Sequence, residues 1–226
     1  MSNPPFAGDI KENRIIAKYD LGKKPDGKYQ KTVGRDILFI ERALNFLKAG
    51  GRIAIVLPQG RFNNSSDKYI REYIAEHCRI LAVVGLHGNV FKPHTGTKTS
   101  VLFVQKWDDK LCPRVDDYPI FFATMQEPSK DSSGDKIFIK QKDLIEWNIK
   151  EKPITEGKEP LKAKDAISHY NTLPKDISDY VLDEHDHLVV KHDLYSNTLK
   201  GGIKTPDGIA EAFIEFAKKE NLSFFV

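Results

Sequence analysis

The chain has 226 residues, 40% hydrophobic and 30% charged, with 35 basic against 32 acidic side chains and a net charge of +3. That length supports a real core, and the balance is too even to argue nucleic-acid binding from charge alone, although a basic stripe on one face stays compatible with it. No apolar run is long enough to span a bilayer and no signal peptide opens the chain, and the two cysteines, Cys78 and Cys112, lack metal-type spacing and so predict reduced thiols in a cytoplasmic protein.

The first element is a turn. Asn3-Pro4-Pro5-Phe6 stands almost at the start, where a chain is normally frayed. Two prolines remove two donors and fix two φ angles, and Asn3 is held extended because it precedes a proline. Residues 7–35 are polar and rich in Gly and Lys, with a turn signal at Lys24-Pro25-Asp26-Gly27, and predict a surface loop, either a plain connector or a mobile lid. GRDILFIERALNFLKAGG predicts a helix through Ile37, Ile40, Leu44 and Leu47, with Asp36 in its first turn and Gly50-Gly51 as its stop. RIAIVLP reads as a strand buried on both faces. Asn64-Ser65-Ser66 offers a cap for a helix carrying Tyr69, Ile70, Tyr73 and Ile74, and RILAVVGL and TSVLFVQKW follow as two more buried strands. The loop between those last two leaves no room for a helix, so they should pair antiparallel. Residues 1–107 therefore predict an α/β layered sheet.

Beyond Trp107 the pattern changes, and residues 108–226 predict an α+β extension. PIFFATM, KIFIK and HLVVKHDLY are short strand candidates, residues 150–175 are charged and irregular, and GIAEAFIEFAKKENL is an amphipathic helix through Ile209, Phe213, Phe216 and Ala217. His185 and His187 alternate with carboxylates, which is more often a solvated face than a metal site. The pairs Lys140 with Lys142 and Lys162 with Lys164 could meet phosphates, but solvated lysines are the commoner reading. No metal is expected.

Asn3-Pro4-Pro5-Phe6 resembles the catalytic motif of amino-methylating DNA methyltransferases, above all the N6-adenine enzymes. That motif follows the fourth strand of the family's sheet, at the carboxyl end where ligands bind in α/β folds. The order of helix, GGRIAIVLP, helix, RILAVVGL and TSVLFVQKW is similar to what the family carries after it. VFKPHTGTKTSVLFVQK is similar to a later family motif, in which Phe91 takes the place of a residue that touches the extruded base. With VLPQGRF, these stretches are most similar to the modification subunit of type I restriction-modification systems. The likeness is strong over residues 1–107 and weak beyond.

The chemistry suits those residue types. An exocyclic adenine amine is a poor nucleophile, because its lone pair is delocalised into the ring. It needs acceptors that orient its protons. The Asn3 oxygen and the Pro4 carbonyl would be two such acceptors, Pro5 would stiffen the turn, and Phe6 would stack on a flipped base. The resemblance implies the C-terminal half of a Rossmann-like sheet. It also implies DNA, a specificity subunit and a restriction subunit as partners, and S-adenosylmethionine as methyl donor. The family's glycine-rich turn and ribose-binding acid precede the motif, so residues 1–226 are expected not to bind that donor by themselves, and the alternative function is an inactive DNA-binding or assembly module. An unpaired edge on RIAIVLP would then favour self-association.

Overall fold

The computed structural model describes residues 1–24, 26–146 and 179–222. They form two compact units, Met1–Leu86 with Thr97–Thr124, and His87–Gly96 with the described residues from Met125 onward. In chain order the first unit holds β1 (Asp9–Ile10), α1 (Asn13–Ile16), β2 (Val33–Gly34), α2 (Arg35–Phe46), β3 (Arg52–Pro58), α3 (Gly60–Asn63), α4 (Lys68–His77), β4 (Cys78–Gly85), β5 (Thr99–Lys106) and β6 (Phe121–Thr124).

The sheet runs in the order β3-β5-β4-β6. β5 lies antiparallel to both β3 and β4, and β6 lies parallel to β4. The fold class is thus α/β, with the antiparallel closing hairpin that the sequence predicts. The sheet reaches past Trp107, because Phe121–Thr124 adds to it as an edge strand. The edge of β3 expected to be bare carries Ser2, which lies parallel to Ile55; the Ser2 N–H donates to the Ala54 carbonyl at 2.8 Å, and the Val56 N–H donates to the Ser2 carbonyl at 3.0 Å.

Ile37, Ile40 and Leu44 recur on one face of α2, Ile70 and Ile74 on one face of α4, and both helices bury them against Ile55, Leu57, Leu102 and Val104 of the sheet. Each such burial is worth ~1.5–3 kcal/mol against exposure, which is why the periodic runs become elements. α2 ends at Phe46, with Leu47 extended, so Gly50 is not its stop; Gly50 has φ +68° in a later turn, where a Cβ would meet Leu111 at 2.5 Å. α4 starts after Asp67, at the end of a 3-10 turn over Ser65–Asp67, rather than from the Asn64-Ser65-Ser66 cap.

Residues 7–35 are neither a bare connector nor a lid. Ile16, Leu21 and Val33 lie in the same core cluster as α2 and α4. The buried Glu41 carboxylate accepts the backbone N–H groups of Asp20 at 3.0 Å and Leu21 at 2.8 Å, and so satisfies donors that burial would orphan.

The second unit has no long ladder among its described residues. It is held by isolated bridges such as Phe138↔Val190, Lys140↔Tyr180 and Leu182↔Leu188. Two small clusters back them, one of Ile139, Leu144, Val181, Val189 and Leu199, the other of Phe138, Leu182 and Leu188. α5 (Gln141–Glu146) is short, and α6 (Ile209–Lys219) matches the sequence expectation. Residues 150–175 with Lys162 and Lys164 lie outside the described residues.

Candidate functional site

The Asn3-Pro4-Pro5-Phe6 turn leaves the sheet directly after Ser2, the residue that pairs parallel with β3. Its place is the carboxyl end of a parallel strand position, where α/β sheets present ligand-binding loops. Pro4 is buried, Phe6 is half-buried, and Asn3 and Pro5 are exposed. One proline therefore anchors the turn in the protein while the Asn3 amide faces outward.

The far side of the turn is pinned too. The Arg35 N–H donates to the Gly8 carbonyl at 3.0 Å, and Asp9 and Ile10 pair with Gly34 and Val33. Gly8 has φ +97°, and a Cβ there would come 2.7 Å from the Arg35 guanidinium. Glycine meets both demands, the left-handed backbone and the close approach.

Beside Arg35, at Asp36, sits a partly buried ion network that the sequence reading missed. Arg61 forks onto Asp36, with Nε donating to Oδ2 at 2.8 Å and Nη2 to Oδ1 at 3.1 Å, and its Nη1 donates to Asp67 Oδ2 at 2.9 Å. Burial alone works against the charge on Arg61, but the two carboxylates outweigh it and hold the guanidinium pKa above its ordinary value. Asp36 lies in the first turn of α2, as the sequence predicts, and its carboxylate also serves the ion pair. A sequence signal existed: Asp36 stands four residues before Ile40, and Glu41 four after Ile37, so both acids fall on the apolar face of α2.

Phe91 belongs to the second unit, in the loop His87–Gly96. That loop turns on bonds from the Lys92 N–H to the Asn89 carbonyl and from the Thr95 N–H to the Phe91 carbonyl. Asn89 Nδ2 donates to the Lys130 carbonyl at 3.1 Å, and Lys130 Nζ donates to the Lys92 carbonyl at 2.8 Å. Phe91 is half-buried. Asn3, Pro4, Pro5 and Phe6 are consecutive in the segment that leaves Ser2 and bends at Phe6 and Ala7, and Phe91 is assigned by its motif alone.

Among the described residues no group of three or more His, Cys, Asp or Glu side chains could hold a metal ion, His185 and His187 included. Of the buried carboxylates, Asp36 and Asp67 accept from Arg61, Glu41 from two backbone N–H groups and Asp143 from the Lys140 N–H. An apolar cavity of about 180 Å³ in the first unit is walled by Leu57, Phe62, Ile74 and Leu102. Its two cationic neighbours are committed elsewhere, Arg61 to Asp36 and Arg71 to the Arg61 and Asn64 carbonyls. No helix among the described residues is long and apolar enough to cross a membrane.

The sequence profile of the N-6 DNA Methylase family matches residues 1–197. The chain belongs to that family. It is 32% identical over 110 residues to the type I restriction enzyme EcoEI methylase subunit of Escherichia coli, a match covering 47% of this chain and 20% of that protein. It is 28% identical over 108 residues to the type II restriction enzyme and methyltransferase RM.Eco57I of the same organism, covering 47% of this chain and 11% of that one. The chain thus spans a small part of the curated relatives it matches. Among solved structures, a type I restriction-modification system methyltransferase subunit from Streptococcus thermophilus aligns with TM-score 0.38 and 28% identity over 46% of this chain and 22% of that chain.

Proposed function

We propose that this chain supplies the adenine-binding side of a DNA N6-adenine methyltransferase, within the modification subunit of a type I restriction-modification system. The observation that carries the reading is the turn held on β3 through Ser2, with Asn3 exposed and Pro4 buried behind it.

The adenine, flipped from the duplex, places its amine against the turn. Asn3 Oδ1 and the Pro4 carbonyl oxygen each accept one amine proton. With both N–H bonds fixed, the amine lone pair leaves conjugation with the ring and points away from the acceptors, toward an incoming methyl group. A prolyl turn pinned at both ends does not reorganise at that moment, and pre-orientation of this kind is the largest electrostatic lever an enzyme has. Phe6 stacks on the base, a contact worth ~1–3 kcal/mol that offsets part of the unstacking cost. The contact of Phe91 with the base rests on the resemblance.

S-adenosylmethionine is the donor in this reading, as in the family whose motif the turn resembles, and the Asn3–Phe6 turn acts on the acceptor. The partners are DNA, a specificity subunit that chooses the site and a restriction subunit, and the compartment is the cytoplasm.

The test is transfer of tritiated methyl from S-adenosylmethionine to DNA by an assembled modification enzyme carrying these residues, followed by nucleoside analysis. Label in N6-methyladenine that depends on Asn3 supports the proposal; label in cytosine, or transfer indifferent to Asn3→Ala, refutes it.

A further inference from the structure

VLPQGRF is a motif whose residue types the methylation chemistry leaves unused. In the structure it ends β3 and opens α3, and its one charged residue is Arg61. We infer that Arg61 is a positioning residue for the Asn3–Phe6 turn, an inference that rests on reading that turn as the amine-binding site.

The turn has two anchors. Upstream, Ser2 lies on β3 through Ala54 and Val56. Downstream, Gly8 is bonded to Arg35, and Asp9 pairs with Gly34. Arg61 joins the two. It stands just beyond Pro58, where β3 ends, and its guanidinium closes a two-bond fork on Asp36, the neighbour of Arg35. Gly34 lies beneath the fork: a Cβ there would come 2.9 Å from Asp36 Oδ1 and 3.1 Å from Arg61 Nη2. Arg71 Nη1, donating to the Arg61 carbonyl at 3.2 Å and the Asn64 carbonyl at 2.8 Å, holds α3 itself in place. Asp67, at the start of α4, takes the third arm of Arg61 and touches neither anchor's backbone pairing.

The choice of side chain follows from geometry. A planar guanidinium fixes both the distance and the angle of a carboxylate; a lysine ammonium is a point charge that fixes neither angle nor plane. Two acceptors on neighbouring residues must hold the two protons of one small amine, and misplacing such groups by ~1 Å costs on the order of 100-fold in rate. A nearly buried ion pair is a poor way to gain stability, since desolvation offsets its attraction. Its use here is to set the spacing between two anchors.

The test compares Arg61→Lys with Asp67→Asn and the parent. In the 226-residue chain, amide exchange at Arg35 reports the downstream anchor and exchange at Val56 the upstream one. Arg61→Lys should speed exchange at Arg35 about tenfold or more and leave Val56 protected, and a 4-fluorophenylalanine at position 6 should broaden or shift its fluorine resonance. In an assembled methyltransferase the same variant should lower kcat on the order of 10- to 100-fold with KM for DNA unchanged, while Asp67→Asn should stay within about threefold of the parent. If Arg61→Lys fails to fold, Gly34→Ala wedges the fork by a few tenths of an ångström and should give the same pattern. Unchanged exchange at Arg35 with unchanged kcat in a folded Arg61→Lys chain overturns the inference. If Asn3→Ala also methylates normally, the reading of the turn falls; if Asn3→Ala is dead and Arg61→Lys is normal, only the positioning role falls.

Discussion

The two units of this chain are built on different principles. The first closes two long ladders, β3 with β5 and β5 with β4, over one continuous core fed by α2, α4 and residues 16–33. The second has isolated bridges, two small clusters and turns held by single carboxylates: Asp131 accepts the N–H groups of Ser133, Gly134 and Asp135, and Asp183 those of His185 and His187. A large core lets a protein carry a locally costly feature, such as an exposed amide beside a buried proline. A unit tied together by turns has less to spend on one. The Asn3–Phe6 turn sits in the first unit, whereas Phe91 lies in the second.

Matched truncations test that contrast most severely. Leu57 in the first unit and Leu199 in the second are both 1% exposed. Leucine to alanine in a core costs ~2–5 kcal/mol, more where the surroundings cannot collapse. Leu57→Ala should fall in the upper half of that range and Leu199→Ala near its lower end, read from denaturant midpoints and unit-specific amide exchange. Equal losses would show that the second unit is packed as rigidly as the first.

A smaller effect is expected at the ion network. Asp36→Asn leaves Arg61 facing one carboxylate instead of two. Loss of one partner of a buried pair costs ~3–5 kcal/mol, and because the Arg61 side chain is 24% exposed the loss should sit at or below the low end. The loss should appear in the first unit's melting alone. A neutral Asp36→Asn would mean that water already screens the fork.

The second unit should respond to acid through Glu211. Burial pushes that carboxyl up, but it accepts the N–H groups of Gly208 and Ser196 and the Ser196 hydroxyl, and these bring its pKa down to about 2. A carboxylate depressed on folding stabilises the folded state above its ordinary range, and that contribution is lost as the pH falls from about 4.5 to about 2. The start of α6 should loosen across that window, seen as faster exchange at Ser196 and Gly208. Glu211→Gln should flatten the dependence; an unchanged pH profile in that variant would assign the acid response to other groups.

What the sequence made legible follows the same division. The runs RIAIVLP, RILAVVGL and TSVLFVQKW and the stripe of α2 were readable because each repeats apolar residues at the period of its element. The Asn3–Phe6 turn was readable because two prolines beside an amide and an aromatic ring are rare and chemically suggestive. Ile16 and Leu21 were not readable as core, since each lies inside a polar stretch, and the Leu21 N–H is satisfied by Glu41, twenty residues away. The Arg61–Asp36 fork closes over 25 residues and has no local period at all. Phe121–Thr124 joined the first sheet through pairing with β4, a choice that no four-residue apolar run announces.

The central claim is that the Asn3–Phe6 turn orients an adenine amine and stacks its base. The most direct measurement is the methylation rate and the DNA affinity of Asn3→Ala, Phe6→Ala and Phe6→Trp in one assembled methyltransferase. Asn3→Ala should lose the most turnover, on the order of 100- to 1,000-fold as for removal of one pre-oriented polar group. Phe6→Ala should lose less, and Phe6→Trp should retain much of the parent rate because it keeps a flat face. DNA affinity should change little in all three, since phosphate contacts supply most of it. Parental turnover in Asn3→Ala and Phe6→Ala would contradict the account and leave the turn as a staple holding the chain against the sheet.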